Sequence, residues 1–84
     1  MTGTGRIFIT GGASGLGRAL AVRYQAAGYQ VAIADRVDDA GTATAAEIGA
    51  DYYHADVTRI DDLERVAQAL LDKWGGVDIV VNNA

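Results

Sequence analysis

The stretch Thr10-Gly11-Gly12-Ala13-Ser14-Gly15-Leu16-Gly17-Arg18 gathers the residue types that let a backbone come close to a phosphate. Glycine has no Cβ to hold a pyrophosphate away, and it turns through φ values closed to other residues. Where such a loop leads from a strand into a helix, the first helical N–H groups and the positive dipole end face the anion. The spacing here is G-x-x-x-G-x-G rather than the general dinucleotide pattern G-x-G-x-x-G, so a strand–helix turn that binds nothing is the plain alternative. Gly12 to Gly17 also has the spacing of a P-loop. Arg18 and Ala19, however, stand where a lysine and a hydroxyl residue are required. A nucleoside triphosphatase is therefore disfavoured.

A second chemical feature lies 18 residues beyond Gly17, at Asp35-Arg36. A carboxylate at the end of a second strand accepts hydrogen bonds from adenosine ribose hydroxyls and repels a 2′-phosphate. Asp35 thus points to NAD over NADP. Arg36 pulls the other way, since a guanidinium stacks on adenine or meets a phosphate, and Asp35 carries more weight by its nearness to the ribose. A solvated turn is the plain alternative for the pair. The carboxylates Asp38, Asp39, Asp61 and Asp62 read as a solvated turn and a helix start, without the partners that acid/base work needs. His54 reads as a strand-edge side chain, Trp74 as core, and Lys73 as a charge at a helix C-terminus.

These residues need a scaffold to position them, and its pattern is regular. Ile7-Phe8-Ile9, Gln30-Val31-Ala32-Ile33-Ala34 and Val77-Asp78-Ile79-Val80-Val81 are nearly continuous apolar runs, as in strands buried on both faces of a parallel sheet. Tyr52-Tyr53-His54-Ala55 is a weaker strand candidate. Helical spacing relates Leu16, Ala19, Leu20 and Ala27 before a stop at Gly28, and Ala40 to Ile48 forms a second helix ended by Gly49. The longest helix runs from Ile60 to Trp74 with an apolar face of Ile60, Leu63, Val66, Ala67, Leu70, Leu71 and Trp74. Thr58 is its expected N-cap. The order β-α-β-α-β-α-β with right-handed crossovers makes an α/β fold, a Rossmann-like parallel sheet flanked by helices.

Composition excludes several other functions. The 84 residues contain no cysteine and one histidine, which removes disulfide frameworks, thiolate zinc sites and multi-histidine metal centres. A formal net charge of −4 argues against a nucleic-acid partner. The longest apolar runs fall far short of a membrane span, and the first residues do not form a secretory leader. A cytoplasmic setting is expected.

Three motifs in sequence order resemble the short-chain dehydrogenase/reductase family: Thr10-Gly11-x-x-x-Gly15-x-Gly17, Asp56-Val57 after the third strand, and Asn82-Asn83-Ala84 closing the fourth. The resemblance runs over essentially the whole chain. It implies a single N-terminal dinucleotide-binding unit over residues 1–84, with Gly11, Gly15 and Gly17 shaping the pyrophosphate turn. Ser14 and Leu16 would offer backbone contacts there, and Asp35 would bind the ribose beside Arg36. Asp56 would accept from the adenine amino group next to the Val57 backbone, Asn82 would tie neighbouring strands, and Ala84 would line the cofactor cleft. Without the resemblance, Asp56 reads as a helix cap and Asn82-Asn83 as a strand-ending turn.

The family's chemistry uses a Tyr-x-x-x-Lys pair in which lysine lowers the tyrosine pKa. Lys73 is the only lysine and Ala69 precedes it by four, so no such pair occurs here. The expectation is the NAD-binding segment of an oxidoreductase moving hydride between nicotinamide and an alcohol or ketone, inactive as 84 residues alone. The alternative is a stand-alone nucleotide-binding or self-associating module. Strand 77–81 would expose an edge for a second copy or for a further segment of the family fold.

Overall fold

The structure is a computed structural model that describes residues 5–83. Its element order is β1 Arg6–Thr10, α1 Gly15–Ala26, β2 Gln30–Asp35, α2 Asp38–Ile48, β3 Asp51–His54, α3 Ile60–Trp74 and β4 Ile79–Asn82. All strands run parallel in the order β3-β2-β1-β4. Isoleucine and phenylalanine dominate β1, and their branched or broad side chains suit a pleated surface covered on both sides. This is the Rossmann-like α/β architecture that the alternation of runs implied.

Side chains alternate across the sheet. Ile7, Ile9, Val31 and Ile33 project to one face, where Ala21 of α1 and Ala45 of α2 complete a buried cluster. Phe8, Ala32 and Ala34 project to the other, against Val66 and Leu70 of α3 and Ala55. Two helices thus cover one face and a single helix the other. The long apolar stripe of α3 is wider than the surface it meets: Val66 and Leu70 are buried, whereas Ile60 and Leu71 are exposed. Trp74, expected in the core, is half-buried at its margin.

Several boundaries move. β3 begins at Asp51 rather than Tyr52, β4 covers 79–82 rather than 77–81, and α2 opens at Asp38. Thr58 does not cap α3. Arg59 holds the N-cap position without a side-chain bond. The Thr58 hydroxyl instead donates to Asp56 Oδ1 at 2.7 Å, a local turn that competes with capping.

The strand-entry end of the sheet is closed by ion pairs. Arg6 donates through Nε and Nη2 to the two oxygens of Asp78 at 3.0 and 3.1 Å, and through Nη1 to the Trp74 carbonyl at 2.9 Å. Its backbone N–H meets Asp78 Oδ2, while the Asp78 N–H donates to the Arg6 carbonyl. Lys73, in the last turn of α3 as expected, pairs with Asp51 at 2.9 Å. Arg18 of α1 pairs with Glu47 of α2.

Candidate functional site

At the opposite end, where the strands finish, a cavity of about 360 Å³ is bounded by the glycine loop, the β2–α2 turn and the segment after β3. That volume lies within the range of small-molecule sites, about 300–1,000 Å³. Gly11, Ser14, Asp35, Arg36, Asp56, Val57, Thr58 and Asn83 contribute to its wall.

The loop's glycines act in two ways. Gly11 and Gly15 have φ of 65° and 57°, in the left-handed region. Around Gly15, apart from its chain neighbours and its own helix backbone, no heavy atom lies within 4 Å of where a Cβ would stand, so that side faces open space. Gly12 and Gly17 are glycine for room. A Cβ on Gly12 would sit 2.5 Å from Ile33 Cβ, and one on Gly17 would sit 2.1 Å from the Gly11 carbonyl oxygen. Helix α1 starts at Gly15, and the Ser14 side chain makes no cap hydrogen bond. The first-turn N–H groups are therefore left for an external acceptor.

Asp35 is half-buried at the end of β2 and its carboxylate is held on both oxygens. Ala13 N–H donates to Oδ2 at 3.2 Å, and Val37 N–H to Oδ1 at 3.1 Å. Each oxygen keeps acceptor capacity for ribose hydroxyls. Arg36 beside it is exposed. Asp56 accepts from the Thr58 N–H at 2.9 Å and from the Thr58 hydroxyl on Oδ1, while its own N–H donates to Asp62 Oδ2. The hydroxyl and then the amide of Thr58 hold the Asp56 carboxyl below its usual range, with Arg36 and Arg59 adding to the effect. The same contact holds Asp62 low, chiefly through the Asp56 amide.

The far wall joins β4 to β1. The Thr10 hydroxyl lies 3.2 Å from Asn82 Oδ1 and accepts the Asn83 N–H at 3.0 Å, and Asn83 Nδ2 donates to the Gly11 carbonyl at 3.3 Å. Leu16, Gly15, Gly17 and Asn82 do not border the cavity. Leu16 is largely exposed on α1, Gly17 is buried under the loop, and Ala84 lies outside the described residues. Thr58 and Asn83 were missed as cavity residues. Their polar side chains close to Asp56 and Asn82 were the available signal.

A further cluster contradicts the reading of Asp38 and Asp62 as carboxylates without partners. Asp38 Oδ1 accepts from the Tyr52 hydroxyl at 2.6 Å and lies 2.7 Å from His54 Nδ1. Those hydrogen bonds, Tyr52's first, hold the Asp38 carboxyl below its ordinary range. Burial and the same carboxylate push the Tyr52 phenol up. Among the described residues, no group of three or more side chains is arranged to hold a metal, and no helix is long and apolar enough to cross a membrane.

A family model described as short chain dehydrogenase matches residues 6–84. The chain belongs to that family. A sorbitol dehydrogenase of Cereibacter sphaeroides is 51% identical over 78 residues, covering 90% of this chain and 30% of that protein. Tropinone reductase-like 1 of Erythroxylum coca is 44% identical over 78 residues, covering 90% and 29%. Among solved structures, a 3-ketoacyl-(acyl-carrier-protein) reductase of Brucella melitensis complexed with NADH superposes with a TM-score of 0.91 at 38% identity, covering 95% of this chain and 34% of that one. This short-chain dehydrogenase chain thus spans about a third of the length of the relatives it matches.

The cavity fits a nicotinamide dinucleotide in its donor and acceptor chemistry. A bare backbone at Gly15 and an uncapped helix start suit a pyrophosphate, and two oriented carboxylates suit a ribose and an amino group.

Proposed function

We propose that residues 1–84 form the NAD(H)-binding part of a short-chain dehydrogenase that moves hydride between nicotinamide and an alcohol or ketone. The observation that carries this reading is the Asp35 carboxylate, held on two backbone amides at the rim of the cavity below the glycine loop. An anion held there accepts from ribose hydroxyls and repels a 2′-phosphate, so NAD is the preferred cofactor. Gly11, Ser14, Gly15, Leu16 and Gly17 would hold the pyrophosphate. Asp35 and Arg36 would hold the ribose side, and Asp56 and Val57 the adenine. Asn82, through Thr10, keeps β4 beside β1. Ala84 is proposed to follow at the cleft.

Bound NAD would supply a hydride acceptor in alcohol oxidation. The hydroxyl proton needs a base, and no Tyr-x-x-x-Lys pair occurs in these residues. We therefore read the 84 residues as inactive alone, with the base and the substrate pocket contributed by further protein. The edge of β4, where Val80 is 64% exposed, is the proposed place for that segment or for a second copy. A cytoplasmic setting accords with a cysteine-free chain that uses a nicotinamide cofactor.

Calorimetric titration of the full chain with NAD and NADP tests the reading. Tighter binding of NAD, and loss of that preference in Asp35→Ala, is the expected result. Equal affinities in the unmutated protein would overturn the role of Asp35. A second reading is a stand-alone nucleotide-binding or self-associating module without turnover, for which the exposed β4 edge is the place of association. Hydride transfer detected with a verified 84-residue chain would exclude it.

A further inference from the structure

Tyr52 stands on the edge strand β3, on the far side of β2 from the glycine loop, yet its hydroxyl reaches the turn that carries Asp35. It lies 2.8 Å from the Asp35 carbonyl oxygen and 2.6 Å from Asp38 Oδ1, so one phenolic hydrogen is shared between two acceptors. Only Arg36 and Val37 separate those two aspartates. The hydroxyl therefore spans the β2–α2 turn and joins its two ends.

The surroundings are shaped to bring it there. A Cβ on Gly41 of α2 would lie 2.0 Å from Tyr52 Cε1, so the ring passes through a notch that only glycine leaves open. The Asp35 carbonyl takes a second donor just past the end of β3, the Ala55 N–H at 3.1 Å. Asp35 is thus held from both sides. Its main chain is pinned by β3, and its carboxylate by the amides of Ala13 and Val37.

We infer that Tyr52 is a positioning residue for coenzyme selectivity: its hydroxyl clasps the Asp35–Asp38 turn and so fixes the carboxylate that excludes a 2′-phosphate, without touching the nucleotide. The inference rests on the proposed role of Asp35. Arg36 gives the clasp its consequence. On the same turn, a negative group that turns a 2′-phosphate away and a positive one that would welcome it are adjacent. Both line the cavity, and holding the turn fixes the carboxylate in place beside the guanidinium. Releasing it loosens the carboxylate and shifts the balance toward the guanidinium.

The test is Tyr52→Phe in the full chain, which leaves the ring in the Gly41 notch and removes only the hydroxyl. Dissociation constants for NAD and NADP are measured for the unmutated protein, Tyr52→Phe, Asp35→Ala and the double variant. The expected result is a fall of roughly two- to tenfold in the NADP-to-NAD ratio of dissociation constants for Tyr52→Phe, the worth of one hydrogen bond. In the Asp35→Ala background the same change should leave the ratio unaltered, because the hydroxyl acts through Asp35. A purely structural role would weaken both nucleotides equally and add to Asp35→Ala, and that outcome overturns the inference. So does an unchanged ratio in Tyr52→Phe while Asp35→Ala lowers it, a result that leaves the NAD reading standing. If neither dinucleotide binds the unmutated protein, the NAD reading itself falls, and the selectivity role with it.

Discussion

The two ends of the sheet use the same polar residue types in opposite ways. Where the strands begin, opposite charges answer one another: Arg6 meets Asp78, and Lys73 meets Asp51. Where they finish, the hydrogen bonds that orient Asp35 and Asp56 come from backbone amides and a threonine hydroxyl, and neither carboxylate closes an ion pair. A carboxylate paired with a cation has its partner already. One held by neutral donors is positioned but still seeks hydrogen atoms, which a ligand's hydroxyl or amino group provides. The first end is built for cohesion and the second for recognition. The distinction lies in the partners, since aspartate serves both.

The sharpest way to break this division is to disturb the recognition end at its tightest point. Gly17→Ala would drive a methyl group into the Gly11 carbonyl and the Asn83 amide, at 2.1 and 2.6 Å. Since backbone cannot swing aside, about 3 kcal/mol of stability should be lost. Urea denaturation reads that loss, and nucleotide binding should vanish with the loop's shape. Gly15→Ala should do less. Its Cβ enters open space, so only the left-handed backbone is strained, at about 1 kcal/mol. Binding should weaken while the fold survives, and a Gly15→Ala protein as unstable as Gly17→Ala would count against the separation of shape from room.

The smallest effect on binding should come from the cohesive end. Arg6→Ala removes the partner that holds the Asp78 carboxyl below its ordinary value of 3.8. A carboxylate lowered by folding stabilises fully above its unfolded pKa, and that contribution disappears as pH falls through the lower folded value. Thermal melts should therefore show the unmutated protein losing stability below about pH 4, with a shallower loss in Arg6→Ala. The difference between the two should shrink in high salt, because the paired side chains are partly exposed. NAD affinity at neutral pH should stay the same. A large loss of affinity would show that the two ends are coupled.

Local patterns carried most of the architecture in the sequence. Apolar runs marked β1, β2 and β4, glycine stops marked the helix ends, and the alternation of the two marked a parallel sheet, while the β3-β2-β1-β4 order came from the structure. The glycine loop and Asp35 were legible because spacing within a single β-α-β unit sets where they fall. What escaped notice depended on contacts between elements. Tyr52 stood in the weakest strand, and nothing near it in sequence signals the Gly41 notch or the carbonyl it reaches. Thr58 was read as a cap because a hydroxyl before a helix commonly is one, yet Asp56 two residues earlier offered a nearer acceptor. The apolar stripe of α3 marked its helical character and overstated its burial, for periodicity reports what a helix can cover rather than what lies beneath it.

The placement of β1 between β2 and β4 has a kinetic meaning. Its pairing with β2 closes after one helix, whereas its pairing with β4 joins Ile7 to Ile79 and Arg6 to Asp78, contacts 72 residues apart. As the chain leaves the ribosome, this inner strand is made first and waits for its second neighbour until nearly all of this segment has emerged. Closing so long a loop adds entropy to the barrier and slows folding. The Arg6 clasp is then a late event, a latch that fastens β4 after β1, β2 and β3 have paired.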